Sequence, residues 1–265
     1  MKTATVYLVG AGPGDPELLT VKAAKLIERA DVILYDRLVD PSILALARPG
    51  AELLYVGKEK GCAAETQQRI FSELALNALR GRCVVRLKGG DPMVFGRGAE
   101  EWAYLARLGI TVEVVPGVSS AVAAPGLAAI PLTARGVARS FAVVTGHVRE
   151  GFQEDWAAYR DIDTLVILMG VAHREQIAQA LIAAGRSAAQ PCAFIENGST
   201  ANERVLVATL DAVARGEVQT ASPAVWICGE VVSLRDTLLA PAQPQEQPAS
   251  QAPRPDAPAP LWDIF

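Results

Sequence analysis

Histidine and cysteine are scarce in this 265-residue chain: His147 and His173, with Cys62, Cys83, Cys192 and Cys228. None stands in a CxxC, HExxH or HxH spacing, so no protein-held metal is expected. Four scattered cysteines make no disulfide framework and read as reduced thiols of a cytoplasmic protein. A basic excess is missing too. The 25 Lys+Arg face 29 Asp+Glu, a net charge of −4, which argues against a general nucleic-acid binder. The longest apolar stretches, near 121–132 and 165–172, contain Gly or Pro and fall short of the roughly 20 residues that span a bilayer. The first fourteen residues, with one lysine and a short apolar run ending in Gly and Pro, lack the order of a signal peptide.

What is present is apolar material for a core: 51% hydrophobic residues against 20% charged, which excludes whole-chain disorder. Seven of the 17 prolines fall in 241–265, a Pro/Ala/Gln-rich stretch expected to be a disordered tail. It closes on Leu261-Trp262-Asp263-Ile264-Phe265, which reads either as a stray apolar end or as a docking peptide.

The body alternates strand and helix signals. Strands are expected at 5–9, 31–35, 52–56, 83–87 and 112–115, with helices at 15–29, 66–79 and 99–108 between them. A second set follows: strands at 141–144, 164–169, 192–195, 204–209 and 224–229, and a helix at 174–184. The fold class expected is α/β: two tandem α/β domains, 1–132 and 133–240, joined through the irregular segment 131–140. Ligands in such sheets bind beyond the carboxyl ends of the strands, and a cleft between the domains is the favoured place.

Gly10-Ala11-Gly12-Pro13-Gly14-Asp15 follows the first strand, where a dinucleotide loop would lie. Asp15 stands where the third glycine of GxGxxG belongs, and Pro13 has no N–H for a phosphate. The turn therefore suits either a tight cap, with Asp15 closing the next helix, or a ligand other than a pyrophosphate. A nicotinamide-dependent oxidoreductase is the alternative that this turn raises and that Asp15 and Pro13 oppose. Asp36 ends the second strand and Lys58 follows the third, so each could act as an acid or base at a strand end. The densest signal is Arg86-Leu87-Lys88-Gly89-Gly90-Asp91-Pro92-Met93-Val94-Phe95-Gly96-Arg97-Gly98-Ala99-Glu100-Glu101, where paired glycines let backbone approach a ligand.

Together with Val9 through Thr20, Tyr35-Asp36-Arg37-Leu38-Val39, Gly57-Lys58, Val115-Pro116-Gly117-Val118-Ser119-Ser120, Pro131-Leu132-Thr133 and Leu168-Met169-Gly170, that run resembles the tetrapyrrole methylase family. These are the class III S-adenosylmethionine-dependent methyltransferases, and the resemblance covers about residues 5–240. It implies S-adenosyl-L-methionine as methyl donor, S-adenosyl-L-homocysteine as its product, and no metal. It implies cofactor contacts at Pro13, Gly89, Gly90, Asp91, Val94, Ser119, Ser120, Met169, Gly198 and Ala224. Asp36 matches the family's proposed proton acceptor and Lys58 its proposed donor.

The Gly-Gly-Asp-Pro and Phe-Gly-Arg-Gly runs point within the family to two methylations of uroporphyrinogen III, at C2 and C7, through precorrin-1 to precorrin-2 in siroheme or cobalamin biosynthesis. A methyltransferase acting on a later corrinoid precursor is the nearer alternative. The substrate's carboxylates call for cations, and Arg37, Arg86, Lys88, Arg97 and Arg135 are the candidates. Ala134 stands where the family usually has His. The resemblance further implies a homodimer. Bifunctional members carry an extra N-terminal domain. Here the glycine turn begins at residue 10, so this chain is expected to act as a methyltransferase alone. No nucleic acid or membrane partner is expected.

Overall fold

A computed structural model describes residues 4–57, 63–147 and 154–241. Lys58, Cys62 and, apart from Pro241, the tail expected to be disordered lie outside the described residues.

The first layer is a five-stranded sheet built from β1 (Val6–Gly10), β2 (Val32–Tyr35), β3 (Glu52–Tyr55), β4 (Val84–Lys88) and β5 (Val112–Val115), in the order β3-β2-β4-β1-β5. All four pairings are parallel. Parallel neighbours need crossovers, and these contain α1 (Val21–Arg29), α2 (Pro41–Leu44), α3 (Ala63–Leu79) and α4 (Gly98–Arg107). The helix expected over 15–29 is divided. Asp15 caps a short 3-10 turn at Pro16–Leu18, Leu19 is extended, and Thr20 caps α1 by accepting from the Ala23 N–H.

Side chains alternate across the sheet with period two. Val85 and Leu87 of β4 face α1, packing in one cluster with Ala23, Leu26, Ile27 and Ile33. Val84 faces the opposite way and packs with Leu74 of α3 and Leu105 of α4. Arg86 and Lys88 share that second face, and their burial beneath the helices follows from it.

The second layer contains β6 (Phe141–Thr145), β7 (Thr164–Leu168), β8 (Pro191–Glu196), β9 (Arg204–Thr209) and β10 (Ala224–Cys228), in the order β6-β7-β10-β8-β9. This sheet is mixed: β6 and β7 are parallel, while β10 runs antiparallel to β7 and β8, and β8 to β9. The short link 197–203 between β8 and β9 allows a hairpin and no crossover. Around this sheet lie α5 (Ser120–Leu127), α6 (Arg174–Ala183), α7 (Leu210–Ala214) and α8 (Leu234–Leu239). On one face Phe194 and Trp226 stack with centroids 5.0 Å apart, in a cluster with Leu165, Ile177 and Leu181. On the other, Ala121, Ala124 and Ala128, in and just after α5, pack against Val166, Ile195 and Ile227. Helix α5 therefore joins the second core although it precedes the expected boundary at 132.

Candidate active site

The loops after β4, β1 and β5, three adjacent strands, interlock backbone to backbone. Gly12 and Gly90 exchange N–H···O bonds of 3.2 and 2.7 Å, and the Ala11 N–H donates to the Lys88 carbonyl at 2.8 Å. A Cβ on Gly10 would lie 2.5 Å from Gly117 Cα and 2.6 Å from the Gly90 oxygen. These two contacts involve backbone, so neither side can yield by turning a rotamer, and glycine is required. The Asp91 carboxylate braces the same junction, accepting from the Met93 N–H at 2.8 Å and the Gly117 N–H at 3.1 Å. The loop after β2 closes the group, since a Cβ on Gly89 would come 2.9 Å from Leu38 Cβ.

Asp36 stands at the edge of this platform. Its Oδ1 accepts from the Leu38 N–H at 3.1 Å and its Oδ2 from Arg86 Nη2 at 3.3 Å. Its side chain keeps 27% of its surface exposed, whereas that of Arg86 keeps 4%. Arg86 donates further to the Leu34 and Leu87 carbonyls and, through Nε, to Glu101 Oε1 at 3.2 Å. Lys88 Nζ donates to the same Glu101 oxygen at 2.8 Å. Burial, reinforced by the nearby Arg86 charge, lowers the Lys88 pKa from its ordinary value, while Glu101 and Asp36 oppose that shift.

The second domain meets the platform through 197–203. The Asp15 N–H donates to Ser199 Oγ at 3.0 Å, and Ser199 is fixed in the left-handed region (φ 64°) with its own N–H on Glu203. Gly198 sits against α5, where a Cβ would be 2.8 Å from Ala124 Cβ. Gly14, Asp15, Asp40, Ser42, Ser199 and Thr200 line much of a polar recess of about 300 Å³ between the domains.

The expected contact residues are placed as follows. Pro13, Gly89, Gly90 and Asp91 lie in the interlocked loops, and Val94 is exposed just beyond them. Ser119 caps α5 by accepting from the Ala121 N–H, and Ser120 is its first residue. Met169 directly follows β7 in the left-handed region (φ 56°), half exposed and followed by Gly170. Ala224 opens β10, half-buried opposite Glu196.

The five candidate cations divide into two groups. Arg37, Arg97 and Arg135 are exposed: Arg135 near the tip of the turn 134–138, and Arg97 at the head of α4, forked onto Glu100. Arg86 and Lys88, expected to meet substrate, instead lie beneath the surface, committed to Glu101 and to Asp36. Glu101, Gly10, Gly117 and Ser199 take part in this arrangement beyond the expected contact residues. The alternation of β4 was a signal for Glu101, since it puts two cations on one covered face that needs an anion.

The turn does not fit a pyrophosphate. Asp15 turns its carboxylate onto the Glu17 N–H at 2.8 Å and its own N–H onto Ser199. The glycines of these loops leave backbone open to close approach by a ligand, and Val94, Val118 and Met169 of the motifs expose apolar side chains.

The sequence profile of the Tetrapyrrole (Corrin/Porphyrin) Methylases matches residues 5–214. The chain belongs to this family. A solved tetrapyrrole methylase, the uroporphyrin III C-methyl transferase of Thermus thermophilus, is 50% identical, with a TM-score of 0.77 over 87% of this chain and 94% of that one. The same enzyme complexed with S-adenyl homocysteine gives the same figures, 50% identity and 0.77, again over 87% and 94%. Siroheme synthase of Pseudomonas paraeruginosa is 48% identical over 244 residues, which cover 90% of this chain. The chain spans about half the length, 52%, of that curated relative.

Proposed function

We propose that this chain transfers methyl groups from S-adenosyl-L-methionine to carbon atoms of uroporphyrinogen III, twice, through precorrin-1 to precorrin-2. The observation that carries this reading is the 50% identity, over 94% of its length, to an enzyme described as a uroporphyrin III C-methyl transferase. The interlocked glycine loops and the half-exposed carboxylate beside them supply the chemistry.

When bound, S-adenosyl-L-methionine offers a sulfonium methyl that is already a strong electrophile. The protein's work is then placement and proton removal. The loops 10–15, 89–97 and 116–120 form a fixed surface that leaves little freedom to lose when a ligand is oriented. Attack by a ring carbon breaks the carbon–sulfur bond, its electrons remaining on sulfur. The new carbon–carbon bond leaves a cationic ring that must shed a proton. Asp36 accepts it: Leu38 and Arg86 fix its two oxygens from the protein side, and its exposed edge meets the ligand. Arg37, Arg97 and Arg135 are assigned to the substrate's carboxylates, and Lys58 to the proton-donor role that the resemblance implies.

Incubation with both substrates, followed by mass spectrometry, should show two successive CH2 increments on uroporphyrinogen III and two molecules of S-adenosyl-L-homocysteine per tetrapyrrole. A single increment, or methylation only of a later corrinoid from a substrate panel, would replace this reading by the related one.

A further inference from the structure

Four charged side chains form one connected set at the carboxyl end of the first sheet: Asp36, Arg86, Glu101 and Lys88. Three of them keep 5% or less of their side-chain surface exposed. The set holds two cations and two anions, so it is neutral as a whole. On the face under α3 and α4 it lies among Val84, Leu34, Leu74 and Leu105. Burying ions costs several kcal/mol each, and apolar residues of similar volume commonly serve stability as well or better. A packing role therefore does not explain why this face carries charge. The one member that reaches the cleft is Asp36.

We propose that Glu101 is a positioning residue for Asp36. It gathers Arg86 and Lys88 on one carboxylate oxygen and so holds the Arg86 guanidinium against Asp36. Lys88 is the second buried cation of this set and makes it neutral. The inference rests on the reading of Asp36 as the base and deepens it. Other charges near the set are Arg97 and Glu100 at the head of α4, and Arg37 beside Asp36. Strand β3 contributes Tyr55, whose ring meets Tyr35 edge-on. Among the described side chains of α3, 67–79, the buried ones are Gln67, Ile70, Leu74, Ala75, Asn77 and Ala78, none of them charged.

Removing the Glu101 charge leaves Asp36 beside two cations and no second anion. Arg86 then loses the charged partner on its Nε side, and its hold on Asp36 Oδ2 slackens. Glu101→Gln should lower kcat by about tenfold or more, without exceeding the roughly 10²–10⁴ that a placed base supplies. The KM for uroporphyrinogen III should stay within about twofold of wild type, since the change falls on the placement of the base and not on binding. The affinity for S-adenosyl-L-homocysteine, read by calorimetry, should stay within about twofold of wild type, since the glycine platform is untouched.

Three enzymes are compared: wild type, Glu101→Gln and Asp36→Asn. Full activity in Asp36→Asn removes the base reading itself. An inactive Asp36→Asn beside a Glu101→Gln with wild-type kcat overturns the positioning role alone. A fall in kcat matched by an equal fall in homocysteine-cofactor affinity also overturns it, since it makes Glu101 a prop of the loops. If Glu101→Gln does not fold, the pair Glu101→Gln with Lys88→Met keeps the buried set neutral and still removes the Arg86 anchor; its kcat should again fall by about tenfold or more at unchanged homocysteine-cofactor affinity, and a wild-type kcat overturns the positioning role.

Discussion

The two sheets of this molecule are built from the same materials and use their interiors differently. In the second sheet, Phe194 lies on Trp226, Cys192 Sγ stands 3.3 Å from Cys228 Sγ across paired strands, and both faces are closed by apolar clusters. In the first, the face under α3 and α4 is apolar toward the amino end and charged at the carboxyl end, where Arg86, Lys88, Glu101 and Asp36 meet. The glycine contacts differ as well. Those that fuse Gly10, Gly90 and Gly117 join three loops of the first sheet, while Gly198 fits against α5. The difference is one of placement: the first domain gathers its buried ions into one connected set beside the glycine loops, whereas the buried Arg186 and Glu196 of the second are held separately, Arg186 by backbone carbonyls and Gln190, Glu196 by Arg204.

Stability in the second core is the largest effect expected. Phe194→Ala should cost about 3–5 kcal/mol in denaturant unfolding, as removal of a fully buried, stacked ring does. A cost below about 1 kcal/mol would mean that the core collapses around the gap. In the first domain, Gly10→Ala should instead act on the ligand. The added methyl meets Gly117 and Gly90 backbone, so the loops must part. S-adenosyl-L-homocysteine should bind about tenfold or more weakly in calorimetry, a loss of about 1.4 kcal/mol or more. Unchanged affinity would separate the platform from the cofactor.

Acid should also distinguish the domains. Glu196, on β8, has its carboxyl pulled down to about 2 by the Arg204 guanidinium, with the Ala221 N–H and Thr220 adding to it against the opposing effect of burial. A depressed carboxyl stabilises the fold fully above its ordinary value of 4.5, and that contribution fades as pH falls toward about 2. Thermal melts should thus show wild type losing its advantage over Glu196→Gln across that window, and parallel curves would contradict the assignment. The smallest effect is expected for Cys192→Ala, about 1 kcal/mol with methylation unaltered, because this buried thiol lies in the second core.

Much of this was legible in the residues. All ten strands lie where apolar runs bounded by turn residues put them. The motif residues of the first domain do come together, because β4, β1 and β5 are adjacent and parallel. What escaped has physical causes. Helix α5, Ser-Ala-Val-Ala-Ala-Pro-Gly-Leu, contains both Pro125 and Gly126, which hide a helical period. Helices α2, α7 and α8 are four to six residues long, too short to show one. The mixed pairing of the second sheet depends on which strands become neighbours, and local pattern does not carry that. The burial of Arg86 and Lys88 follows from Glu101 arriving on a helix from farther along the chain. Charge in a Gly-rich motif looks like ligand binding until the covering helix is in place.

On the proposed reading, the charged corner of the first sheet presents one carboxylate to a ring that must lose a proton. The most direct measurement is single-turnover methylation by Asp36→Asn with uroporphyrinogen III and S-adenosyl-L-methionine, alongside calorimetry of S-adenosyl-L-homocysteine. Cofactor affinity should match wild type while the rate of methylated product falls by about 10²–10⁴. A rate within about threefold of wild type, at unchanged affinity, would contradict the account and move the base elsewhere in the cleft.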